Sequence, residues 1–158
     1  MKIPQLKIIV PLLILGSLLG WIVVATYFPG DSTPMSVTRN GVTAGLTKIV
    51  YRNGEDVTFW VENNRNGTIY FMVMPPWEIE QKVCGEWKHV YPSAVANSVV
   101  EIPPGRDKTW IWHQQTDYWW SSPGDYRVIL PVHLSFEGDP EVFYLPFKIR
   151  GWIGIRAY

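Results

Sequence analysis

The sequence is poor in the residues that carry chemistry. Its 158 residues include one cysteine, Cys84, and three histidines. No internal disulfide can form, so the folded body has to be held by packing alone. Charge is scarce as well: 18% of residues are charged, and fourteen bases balance fourteen acids. That leaves no extended basic face for a phosphate backbone, and nucleic acid is not an expected partner. His89, His113 and His133 fall on separate expected strands, without the convergent spacing of a zinc site. A blue-copper set is excluded too, because no histidine precedes Cys84 and no methionine follows it. No nucleophile elbow, phosphate loop or dinucleotide fingerprint occurs. The expectation is a chain that is not an enzyme and that takes no cofactor or metal. Glu137, Asp139 and Glu141 surround a turn, where a solvated tip is favoured over a Ca²⁺ loop. Amphipathic helices, internal repeats and low-complexity tracts are also missing.

What is present begins with a long apolar run. Residues 8–28, "IIVPLLILGSLLGWIVVATYF", hold no charge. As a helix they measure about 31 Å at roughly 1.5 Å per residue, enough to cross a bilayer. Lys2 and Lys7 precede the run and the next base is Arg39, which keeps the N-terminus cytoplasmic and sends the remainder outward. Trp21 and Tyr27 suit the outer interface. The rival reading is a cleaved signal peptide, with Val23 and Ala25 before a cut at Thr26. Both readings export the rest of the chain. The expected organisation is a transmembrane anchor or signal segment over 1–28, a linker over 29–34 ("PGDSTP") and an extracytoplasmic β domain over 35–158.

Beyond the linker the pattern has period two. Val57, Phe59 and Val61 share one face of "DVTFWVEN", and "NRNGT" at 64–68 reads as a hairpin turn into "IYFMVM". Pro75 and Pro76 stop that strand. "EIEQKV" and "EWKHVY" flank Cys84-Gly85, a natural two-residue hairpin. "SVVEIPP" and "DKTWIWHQ" flank Gly105. Tyr126, Val128, Leu130, Val132 and Leu134 line one face of the longest run, and Phe143, Leu145, Phe147 and Ile149 line the last. Seven or eight short strands in about 120 residues predict an all-β, antiparallel sandwich, with a closed barrel as the structural alternative.

The succession "VTFWVENN", "WEIEQKVCGEWKHV", "VEIPPGRDKTWIWHQ" and "SPGDYRVIL" resembles bacterial immunoglobulin-like domains and the intracellular proteinase inhibitor family of bacilli. The resemblance covers Gly54 to Leu130. It implies an immunoglobulin-like sandwich and, for the second family, protease inhibition; the N-terminal apolar run departs from a cytoplasmic inhibitor.

Aromatic residues are abundant, nine of them tryptophan. Tyr126 suits a sandwich corner, its hydroxyl bonded to nearby backbone. Trp110 and Trp112 share a face, and burying them removes more apolar area than burying Ile111, so the pair is expected in the core. Tyr118, Trp119 and Trp120 lie on an expected loop, where they either plug the end of the sandwich or form a contact site. Asn66 begins the glycosylation sequon Asn66-Gly67-Thr68 on an expected turn. The leading functional expectation is a single-pass, membrane-anchored domain that binds a protein of the cell envelope or serves as an accessory subunit of a membrane complex. Its partners are the bilayer, through residues 8–28, and that protein. The alternatives are a carbohydrate-binding module stacking glycan on Tyr118, Trp119 and Trp120, with Trp60 or Trp77 as further platforms, a protease inhibitor, and a pilin-like filament subunit.

Overall fold

The computed structural model of the chain describes residues 33–92, 96–114 and 122–151. They belong to a compact unit spanning Asp31–Tyr158. The expected membrane helix over 8–28 lies outside the described residues; among those described, no helix is long and apolar enough to cross a membrane. The described body is all-β. Its strands are β1 (Met35–Arg39), β2 (Val42–Leu46), β3 (Val50–Arg52), β4 (Val57–Asn63), β5 (Ile69–Met74), β6 (Glu78–Val83), β7 (Glu86–Tyr91), β8 (Ala96–Ile102), β9 (Asp107–Trp112), β10 (Gly124–His133) and β11 (Pro140–Arg150).

The strands form two sheets. The smaller has the order β1-β2-β4-β9 and is antiparallel throughout. The larger has the order β3-β11-β10-β5-β8, with β6 also on β10 and β7 on β6. It is mixed rather than purely antiparallel, because Lys148–Arg150 of β11 run parallel to Val50–Arg52 of β3. The expectation of uniformly antiparallel pairing is corrected at this one edge.

Alternation along the strands builds the core. Val57, Phe59 and Val61 are buried on β4, Tyr126, Val128, Leu130 and Val132 on β10, and Phe143, Leu145, Phe147 and Ile149 on β11. These are the faces the period of two predicts, and a slip of one residue would turn each set outward. Leu134 packs against the same cluster while staying partly exposed. Trp112 is buried and Trp110 packs against the core, whereas Ile111 faces out. Trp110 stacks on Phe59 of the smaller sheet at 6.2 Å and meets Phe71 of the larger sheet edge-on at 5.3 Å. A second aromatic group joins Trp112 to Tyr126 at 5.9 Å and to Phe147 at 6.3 Å.

Turn chemistry explains the connections, with one correction. Cys84 and Gly85 both have positive φ, 52° and 89°, which suits the two-residue turn between β6 and β7. Asn40 and Gly41, at 46° and 76°, make the equivalent turn between β1 and β2. The stretch 64–68 is not a hairpin. It carries the chain from β4 in the smaller sheet to β5 in the larger, and 103–106 returns it from β8 to β9.

Asn63 holds both crossovers together. Its side-chain amide donates to the carbonyls of Gly67 (2.9 Å) and Ile102 (2.8 Å), and its Oδ1 accepts from the Arg65 N–H (3.0 Å). Its backbone carbonyl accepts from Gly105 N–H at 2.7 Å. A fully buried amide is tolerated because every polar atom it carries is engaged.

Burial raises the phenol pKa of both Tyr51 and Tyr126, outweighing hydrogen bonds that favour the charged form. Tyr126 donates to the Ser122 carbonyl at 2.5 Å, the backbone bond its place at the strand start suggested. A raised folded-state pKa means these groups stabilise the fold fully below the unfolded value near 10.0, and the contribution is lost as pH rises through the higher folded values. An ultraviolet phenolate titration is therefore expected to show a late-titrating class that shrinks in Tyr126→Phe. A single class at the free-phenol value would show that neither ring is desolvated.

Candidate functional site: the outer face of the larger sheet

Strand register determines which side chains share the outer surface of the larger sheet. Arg127 on β10 is opposite Glu80 on β6 and Pro146 on β11, and Ile129 is opposite Tyr144. Lys82 is opposite Trp87 across the β6–β7 hairpin. Tyr144 and Trp87 thus stand diagonal to the Arg127–Glu80 row, within reach of long side chains. The Arg127 guanidinium lies between two rings, 4.4 Å from the centroid of Trp87 and 4.5 Å from that of Tyr144. Its Nη2 and Nε both donate to Glu80 Oε2, at 2.6 and 2.7 Å. Lys82 Nζ approaches Trp87 at 5.9 Å.

This arrangement fixes a normally flexible side chain. Stacking and a charge-assisted pair together hold Arg127 in one geometry, so its ordering entropy is already spent before any partner arrives. Further apolar groups lie on the same sheet toward the other end of β10, where Tyr70 is opposite His133. Phe71 faces the core, so Tyr70, opposite Glu101, turns outward, and half-buried Met72 follows at an irregularity in the β5–β8 ladder. Tyr144 is 46% exposed, Met74 43% and Phe136 60%; Phe136 meets Tyr70 edge-on at 5.6 Å. Trp, Tyr, Met and Arg are the residue types enriched at the centres of protein interfaces.

The residues expected to form a site are distributed differently. Tyr118, Trp119 and Trp120 lie outside the described residues. Asn66 is exposed on the β4–β5 crossover. Trp77 is buried against Phe59 and Tyr91, at 5.1 Å from each ring centroid, so it is a core residue and not a stacking platform. Trp60 is half-buried on the outer face of the smaller sheet and lies over Gly45, where a Cβ would stand 2.7 Å from the indole. The histidines stay apart: His89 contacts the Pro92 carbonyl at 2.6 Å, His113 the Asp56 carboxylate at 2.7 Å and His133 the Gly138 carbonyl at 2.7 Å. Among the described residues no group of three His, Cys, Asp or Glu could hold a metal ion.

The Trp87–Arg127–Tyr144 group was not anticipated. Parity along β10 and β11 turns Arg127 and Tyr144 outward, but their meeting with Trp87 depends on cross-strand register, which periodicity does not encode.

No family model and no curated protein matches the sequence. Two solved structures to which the chain is similar come from bacteria. One is the alkylpurine DNA glycosylase AlkC of Pseudomonas fluorescens bound to DNA containing an abasic site analog, with 15% identity and a TM-score of 0.43, over 72% of this chain and 31% of that one. The other is the CsuC–CsuE chaperone–tip adhesion subunit pre-assembly complex of the archaic chaperone-usher Csu pili of Acinetobacter baumannii, with 14% identity and a TM-score of 0.39, over 65% of this chain and 52% of that one. The chain therefore spans about a third of the first and about half of the second. The expectation that the chain is not an enzyme is withdrawn, because a solved enzyme stands among the structures it is similar to. At these identities and TM-scores neither likeness carries a function across.

Proposed function

We propose that the chain is a membrane-anchored, extracytoplasmic module of immunoglobulin-like type that docks a protein of the cell envelope, or a subunit of a membrane complex, through the outer face of its larger sheet. The observation that carries this reading is the pre-ordered stack of Trp87, Arg127 and Tyr144, on a sheet that also carries exposed Met74 and half-buried Tyr70 and Met72, with exposed Phe136 against Tyr70. Rigid aromatic and arginine anchors lose little freedom on binding, and such residues dominate interface energetics. The uncharged run at 8–28 supports anchoring. Tyr126, buried at the start of β10 and bonded to backbone four residues upstream, supports the immunoglobulin-like reading.

The test is crosslinking and co-purification of the full chain from membranes, comparing Trp87→Ala and Tyr144→Ala with Ile111→Ala on the other sheet. Each interface variant is expected to lose at least about tenfold in partner recovery, for a hot spot worth 1.4 kcal/mol or more. Ile111→Ala should retain recovery. Equal recovery from all three would refute the docking face, and recovery of the chain only in the soluble cytosolic fraction would refute the anchor.

A second reading rests on Trp60. Its indole lies over Gly45 among Thr43, Thr58 and Thr109, which the register brings to the same face, and indole with nearby hydroxyls suits a stacked sugar. Glycan-array binding abolished by Trp60→Ala and retained by Tyr144→Ala would favour carbohydrate over protein.

A further inference from the structure

Asparagine followed by glycine occurs three times, at 40–41, 53–54 and 66–67, and the fold treats the three differently. The pair has a chemistry of its own. The backbone nitrogen of the glycine can attack Cγ of the asparagine before it, because no Cβ on the glycine shields that nitrogen. Closing the five-membered ring needs two groups free: the side-chain amide that leaves and the backbone N–H that attacks.

Two of the three pairs have one of those groups engaged. Asn40 donates its Nδ2 to Glu141 Oε2 at 3.0 Å, and it sits at φ 46° in the tight turn whose flanks pair Arg39 with Val42. At 53–54 the attacking nitrogen is the group held. Gly54 N–H donates to Oε1 of the fully buried Gln114 at 2.8 Å, and Asn53 N–H donates to the Arg150 carbonyl at 2.9 Å.

The third pair is open. Asn66 and Gly67 are both exposed, and neither the Asn66 amide nor the Gly67 N–H makes a hydrogen bond to another described residue. Asn63 pins the groups on either side, taking the Arg65 N–H on its Oδ1 and donating its Nδ2 to the Gly67 carbonyl. The ring atoms lie between those pins: Cα, Cβ, Cγ and the carbonyl carbon of Asn66, and the nitrogen of Gly67. A Cβ built on Gly67 would meet nothing within 4 Å, so the surroundings there are uncrowded.

We infer that Asn66 is a site of spontaneous deamidation, selected by the fold over Asn40 and Asn53. Gly67 N gives its proton to hydroxide and bonds to Asn66 Cγ; the Cγ–Nδ2 bond breaks, and the amide nitrogen takes a proton from water and leaves as ammonia. Water then opens the cyclic imide. Breaking the new Cγ–N bond gives aspartate, whereas breaking the bond to the main-chain carbonyl gives isoaspartate, with the backbone rerouted through the side chain. The net change is amide plus water to acid plus ammonia. Isoaspartate inserts one methylene into the main chain between the Arg65 N–H and the Gly67 carbonyl, so Asn63 cannot keep both bonds and the β4–β5 crossover loosens. A glycan at Asn66 would occupy the nitrogen that has to leave, so glycosylation of the sequon and deamidation compete.

The experiment uses the full chain carrying Thr68→Ala, which removes the sequon and leaves the Asn-Gly pair. It is held in mildly alkaline buffer, and peptide mass spectrometry follows all three asparagines, with isoaspartate scored apart from aspartate. Asn66 is expected to convert several-fold faster than Asn40 or Asn53 in the folded protein, and the three rates should converge in denaturant. Adding Gly67→Ala should slow conversion several-fold; the open space at that position leaves the unfolding temperature unchanged. Conversion at Asn66 no faster than at the other two sites in the folded chain overturns the inference. Isoaspartate-enriched protein should also exchange amides over 64–68 faster than fresh protein, and equal exchange would overturn the loosening alone.

Discussion

Trp112→Ala is expected to destabilise the domain by about 3–5 kcal/mol, the range for truncating a large aromatic in a packed core, while Ile111→Ala beside it costs about 0.5 kcal/mol or less. The contrast follows from one register. β4 and β9 pair Val57 with Trp112 and Thr58 with Ile111, so the indole points between the sheets and the isoleucine points to water. Trp112 is 2% exposed and Ile111 47%. The indole touches the rings of Tyr126 and Phe147, and Phe147 in turn stacks on Tyr126 at 5.6 Å and meets Tyr51 edge-on at 5.6 Å. Four rings from β3, β9, β10 and β11 therefore share one contact group, and removing the ring that reaches it from the smaller sheet opens a cavity no single neighbour can fill. A domain of this size has roughly 5–15 kcal/mol of net stability, so the variant is expected to unfold at a much lower urea midpoint with an unchanged slope. If Ile111→Ala proved the more damaging of the two, the assignment of core and solvent faces on β9 would be reversed.

Much of this packing was legible in the sequence because burial and periodicity agree along β4, β10 and β11. Each carries an unbroken apolar set on one face, while the other face is interrupted by polar residues such as Thr58 and Glu62 on β4, Arg127 and His133 on β10, and Lys148 on β11. The first three strands escaped that reading. β1, "MSVTR", is polar, and β2, "VTAGL", includes Ala44 and Gly45, residues depleted in strands; Gly45 is needed because the Met35 carbonyl and the Trp60 ring crowd the site. Asn-Gly occurs at 40–41, 53–54 and 66–67. Only the first forms a hairpin, because its flanking strands pair with each other, while those flanking each of the other two belong to different sheets. Local turn chemistry cannot distinguish these cases. The candidate docking face was hidden for the same reason: Glu80, Trp87, Arg127 and Tyr144 come from four strands, and only the tertiary register brings them together.

The second large effect is expected at Asn63. Asn63→Asp keeps the shape but removes both amide donors, and the new carboxylate would face the carbonyls of Gly67 and Ile102. Two buried acceptors left without donors cost about 1–3 kcal/mol each, and a buried charge adds to that, so a loss of about 3–5 kcal/mol is expected at neutral pH. The introduced carboxyl has its charged form disfavoured, which raises its folded pKa above the ordinary value near 3.9. A raised folded value means the penalty is smallest below the unfolded pKa and grows as pH rises through the folded one. Chemical denaturation from acid to neutral pH should therefore show the variant approaching the parent at low pH and diverging above it. Asn64→Asp, one residue on and exposed, should change stability by about 0.5 kcal/mol or less across the range. Because Asn63 joins the β4–β5 and β8–β9 crossovers, its loss should also speed amide exchange in both 64–68 and 103–106. A penalty independent of pH, or confined to one crossover, would mean that the amide does not bridge them.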